Sequence, residues 1–131
     1  MNIKIFISIL FFSCLIFSQD FEYSVEDYNS TSPTYGMNIW HPEYSDYITL
    51  HYFSSQGWAG WTNTFVQLHN FQEELRSEGY EKIVIIAVGK SVASNFNSNF
   101  CANSDLPLVI DIHPDYIIRD AFNAAHKEII I

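Results

Sequence analysis

Two apolar runs bracket one amphipathic segment between Tyr47 and Val88, and this arrangement restricts the chain more than any other feature. Tyr47–Phe53 is dominated by β-branched and aromatic side chains, as expected of a strand with at least one buried face. Ser54–Gly57 interrupts it. Thr62 stands where a helix N-cap belongs, and Phe65, Leu68, Phe71 and Leu75 follow at helical spacing. Gly79 sits at the C-cap position. Lys82–Val88 is then a continuous β-branched run, which reads as a fully buried parallel strand ended by Gly89. Strand, helix and buried strand make a βαβ unit, whose crossover should be right-handed. The fold class is α/β.

The rest of the chain is arranged around that unit. With 131 residues there is enough chain for one small domain. The expected organisation is a signal peptide at 1–18, an N-terminal arm at 19–46 and the domain at 47–131. The arm is rich in Ser, Thr, Asn, Tyr and Pro, which favour local turns over helix, and its aromatics suit packing onto the domain. Asn29-Ser30-Thr31 matches a glycosylation acceptor. Ser91–Asp105 is polar and Asn-rich, so it reads as a loop anchored by Phe96 and Phe100, with a short helical turn as the alternative. Leu106–Asp111 is short and extended, and Pro107 puts it at a sheet edge or a strand start. Asp115–Asn123 reads as a short helix capped at Asp115. Ile129-Ile130-Ile131 resembles the start of a buried strand, which leads us to expect a natural chain that continues further.

Residues 1–18 have a short positive start, then an apolar run from Ile5 to Phe17. At about thirteen residues the run is shorter than the roughly 20 a membrane span needs. It has the layout of a secretory signal, so a secreted or periplasmic location is expected, with no stable membrane span after cleavage. Phe12-Ser13-Cys14 loosely resembles a lipoprotein site, but Phe11 replaces the usual leucine, so no lipid anchor is expected. Cys14 lies in the signal, which leaves Cys101 as the single thiol and no internal disulfide. The formal charge of −9, without any Lys/Arg cluster, excludes nucleic acid as a partner.

Four segments, in order, carry a resemblance: Asn29–Gly36, His51–Trp58, Leu75–Ile86 and Leu106–Asp111. The chain resembles the thioredoxin fold. More narrowly, it is similar to redoxin-like proteins exported by marine and environmental bacteria, relatives of the amino-terminal domain of selenoprotein P. The resemblance implies that Ile129–Ile131 lies antiparallel beside Tyr47–Phe53, in a fold left incomplete because its closing strand and last helix are absent. The pattern also has a proline before the third core strand, where this chain has His126-Lys127.

In many oxidoreductases of this pattern the turn after the first core strand carries Cys-x-x-Cys. The first cysteine attacks as a thiolate, favoured by the helix N-terminus, and the second resolves the mixed disulfide. Those two positions fall on Trp58 and Trp61, which supply neither a nucleophile nor a resolving group. The resemblance therefore carries over the fold without the reaction. The expected function is a redox-inactive binding or scaffold module, docking an unidentified protein or peptide on Trp58, Ala59, Gly60 and Trp61; the plainer alternative is that the two tryptophans are packing residues that replaced a lost active site. The competing reading is a thiol–disulfide oxidoreductase or antioxidant protein that uses Cys101 or cysteines in a missing C-terminal part. Cys101 has no adjacent His or Arg to stabilise a thiolate, so an inert thiol or a Cys101-linked dimer is expected. His41, His51, His69, His113 and His126 show no close metal-ligand spacing, and neither metal nor cofactor is expected. Alternation with Leu50 and Tyr52 leaves a solvent-facing position open to His51.

Overall fold

A computed structural model describes residues 23–40, 44–53, 61–124 and 128–131. Strands β1 (Ser24–Glu26) and β2 (Asn38–Trp40) form an antiparallel hairpin. There follow β3 (Ile48–Phe53), α1 (Trp61–Ser77), β4 (Ile83–Lys90), α2 (Ser94–Asn103), β5 (Leu108–Asp111), α3 (Ile117–Phe122) and β6 (Glu128–Ile130). The main sheet has four strands in the order β5-β4-β3-β6. β3, β4 and β5 run parallel, and β6 runs antiparallel to β3 with His51 opposite Ile130. The βαβ unit is present as the sequence pattern led us to expect, and the isoleucine strand lies antiparallel to β3 as the resemblance implies.

Strand alternation divides the core in two. Tyr52, Ile85, Ala87 and Leu108 point to one face, where Phe65, Leu68, Phe96 and Phe100 of α1 and α2 cover them. Phe53, Val84, Ile86, Val88 and Val109 point to the other, beneath Tyr23, Ile39 and Ile118 of the hairpin and α3. β4 is buried on both faces, which explains its uninterrupted apolar run.

Several local expectations change. Helix α1 begins at Trp61, so Thr62 lies within its first turn rather than capping it. Phe71 is 43 % exposed and Gln72 is buried in its place. The Gln72 amide donates to the Ile83 carbonyl at 2.9 Å and accepts from the Ile85 N–H at 2.8 Å. β5 reaches only as far back as Ala87 along β4, so Gln72 satisfies the strand edge that β5 leaves uncovered. Gly89 does not end β4 but lies inside it. A Cβ there would meet the Asn97 side chain at 2.1 Å, so the glycine lets α2 approach the sheet. The segment read as a loop contains α2, a helix of ten residues. Phe96 and Phe100, one turn apart, bury against Phe65 and overcome the poor helix propensity of the Ser/Asn-rich sequence. α3 starts later than expected, and its first N–H groups are bound by the Asp111 carboxylate rather than by Asp115.

The lead-in segment is held by buried polar side chains. Asp27 Oδ1 accepts from the Leu108 N–H at 3.0 Å, and Tyr28 N–H donates to the Leu108 carbonyl at 2.8 Å. Asn29 Nδ2 donates to the carbonyls of Ser104 and Leu106. Asn29 is fully buried, so the apparent glycosylation acceptor is inaccessible in the folded chain. These bonds seat the hairpin loop on the outer edge of β5, the sheet-edge strand that Pro107 anticipated.

Candidate functional site

The chain leaves β3 at Phe53 and enters α1 at Trp61, at the C-terminal ends of the parallel strands. In open α/β sheets that edge is where ligands gather. Trp58, Ala59 and Gly60, with the Trp61 side chain, lie outside the described residues.

Cys101 is placed in the last turn of α2 rather than in a loop. It is half-buried and packs against the α1–α2 side of the core. Burial pushes its thiol pKa up, and the charge of Asp27 adds to the effect. Both influences oppose the thiolate that exchange chemistry requires. Its backbone carbonyl faces the Thr31 hydroxyl of the hairpin loop at 3.4 Å.

The opposite face holds buried polar groups that the sequence reading did not single out. His51 is 1 % exposed, which corrects the solvent-facing reading. Its Nε2 lies 2.8 Å from the Tyr23 hydroxyl, and its ring packs 4.7 Å from that of Phe122. Burial pushes its pKa down to about 4, so the imidazole is neutral at pH 7. Nearby, both oxygens of the buried Asp111 accept N–H groups from Ile118 and Arg119. Burial raises the Asp111 pKa against the pull of those bonds and of the Arg119 charge. Arg119 is also buried; it donates from Nη2 to the Val88 carbonyl at 2.9 Å and sits 5.3 Å from the centre of the Phe53 ring. A signal for this set was present in the sequence. Both faces of parallel strands are usually covered, so polar residues within β3 and β5 had to find buried partners.

Among the described residues, no group of three His, Cys, Asp or Glu is arranged to hold a metal ion, and no helix is long and apolar enough to cross a membrane. His69 and Asp105 form a separate pair at 2.7 Å that ties α1 to the segment after α2.

No family model matches the chain, and neither does any curated protein. Among solved structures, it is similar to a protein of Chlorobium tepidum assigned as thiol:disulfide interchange protein DsbE. The TM-score is 0.57 at 10 % identity, over 79 % of this chain and 66 % of the other, so the chain spans just under two thirds of that protein's length. At that identity the likeness concerns the fold alone. The mixed four-stranded sheet and its helices make a thioredoxin-like α/β fold.

Proposed function

We propose that this chain is an exported thioredoxin-like binding module, without thiol–disulfide exchange activity, that engages a protein or peptide through the Trp58–Trp61 turn. On the sequence segments that carry the resemblance, we assign it to the redoxin-like proteins related to the amino-terminal domain of selenoprotein P. The single observation behind the redox-inactive reading is the thiol inventory. On the resemblance Trp58 and Trp61 fall at the two redox positions, and Cys101, the one cysteine after Cys14 in these 131 residues, sits in α2 with a raised pKa. Tryptophan is favoured at binding hot spots, which supports docking at the turn.

The second reading is thiol–disulfide interchange, favoured by the likeness to the Chlorobium tepidum protein. Insulin reduction by dithiothreitol separates the two. We expect the full chain to leave the rate of the reductant alone unchanged, and Cys101 to react with a disulfide reagent at pH 7 more slowly than free cysteine. Acceleration that disappears in Cys101→Ser would establish exchange chemistry and overturn the module reading.

A further inference from the structure

A cleft lies between the hairpin and the sheet edge, lined by none of the residues that flank the Trp58–Trp61 turn among the described residues. The segment after β1 meets β5 where Tyr28 N–H donates to the Leu108 carbonyl, and beyond that point β1 and β5 bound a cleft of about 440 Å³. The alternation of backbone groups fixes what faces it. Ala87 N–H donates to the Pro107 carbonyl and Ser91 N–H to the Asp111 carbonyl, so odd-numbered residues of β5 face β4. Leu108 and Ile110 therefore turn their N–H and C=O outward. The hairpin satisfies Leu108, but among the described residues Ile110 has no hydrogen-bond partner on that side. The same argument applies to β1. Asp27 N–H donates to the Met37 carbonyl across the hairpin, so Glu26 turns its backbone toward β5. The cleft thus presents strand-edge groups from both walls.

Its side chains narrow the occupant. Tyr28, Ile112 and Ile117 line it and are each more than half exposed, an unusual concentration of apolar surface at one edge. The charged side chains in its lining are all carboxylates: Glu26, Asp111 and Asp115. Asp111 is occupied with the N–H groups of α3, whereas Glu26 and Asp115 are exposed at the rim. An apolar slot with an acidic rim beside an open strand edge suits an extended chain whose apolar side chains alternate with basic ones. We infer that the β1–β5 cleft binds an extended peptide segment of alternating apolar and Lys/Arg residues. Its backbone pairs with Ile110, its apolar side chains lie against Ile112 and Ile117, and its cations meet Glu26 and Asp115. Overall acidity draws such a segment in, and the carboxylates at the rim fix its register.

The test uses the full chain and a short fluorescein-labelled peptide of alternating lysine and leucine, with an alternating glutamate–leucine peptide as control. Fluorescence anisotropy should show saturable binding of the lysine peptide only. Glu26→Lys combined with Asp115→Lys should weaken it by about tenfold or more. Ile117→Asp should do likewise, with circular dichroism unchanged for each variant. The pair Glu73→Lys and Glu74→Lys on α1 should leave binding within about twofold, because diffuse charge on the far side fixes no register. Hydrogen exchange should show the Ile110 amide slowed by the peptide. Four outcomes would overturn the assignment: no saturable binding; equal loss from the α1 pair; equal binding of the glutamate peptide; or loss on Trp58→Ala with binding intact in the Glu26/Asp115 variant. The last outcome would place the peptide at the tryptophan turn, so failure of this inference is distinguishable from failure of the module reading.

Discussion

The two faces of the main sheet are built on different physics. On the α1–α2 face, Phe65, Phe96 and Phe100 pack edge-on and stacked, with ring centres 5.2 to 6.2 Å apart. On the hairpin–α3 face, the core includes His51, Asp111 and Arg119, each tied to a partner distant in sequence or to backbone. The first face depends on shape and excluded water. The second depends on polar groups whose burial is unfavourable unless each bond is made. One face should therefore respond to lost volume and the other to protonation.

The largest expected effect is on the aromatic face. Phe65 is fully buried between both helices and the sheet. Phe65→Ala should remove about 3–5 kcal/mol of stability, seen as a lower urea midpoint of similar size at pH 7.5 and pH 4.5. A loss that varied strongly with pH would break the distinction between the faces.

Second comes acid sensitivity of the opposite face. The folded-state pKa of His51 is about 4 against an ordinary 6.5. Between those values the unfolded chain binds the proton and the folded chain does not. The stability from neutral His51 is complete above pH 6.5 and is lost as pH falls toward 4, by about 3 kcal/mol. The raised pKa of Asp111 acts with the opposite sign, since its folded carboxyl takes up a proton more readily than its unfolded one. The clean measurement is therefore the difference in urea midpoint between the wild type and His51→Gln at the two pH values. The wild type should lose more on acidification, and parallel losses would show that His51 is no acid-sensitive element.

The smallest effect concerns a buried polar side chain on the aromatic face. Gln72→Leu keeps the volume but leaves the Ile83 carbonyl and the Ile85 N–H without their side-chain partner. It should cost about 1–3 kcal/mol, with faster hydrogen exchange at the Ile85 amide. Unchanged exchange would mean that Gln72 acts by packing alone.

These contrasts also mark what could be read in advance. β3, α1 and β4 were legible because their apolar periodicity is local and each element is long enough to express it. β5 was legible at lower resolution, since Pro107 signals an edge. α2 was hidden because its Ser and Asn residues favour turns, and only the spacing of Phe96 and Phe100 hinted at a helix. Phe71 was misplaced on the buried stripe because periodicity registers apolarity and does not register a strand edge awaiting an amide. Of the candidate sites, Trp58 and Trp61 could be identified only from the sequence, whereas the β1–β5 cleft was invisible there.

Sequence alone determined the α/β class, the βαβ unit and the tryptophans at positions 58 and 61, because each follows from local pattern or from residue identity. Tertiary structure decided the burial of His51, the occupation of Asp111 by α3, the inaccessibility of Asn29 and the opening beside Ile110. Each of these joins groups that are distant in the chain or on different elements. A polar side chain shows its type in the sequence, but its partner, and hence its energetic sign, exists only once the chain has folded.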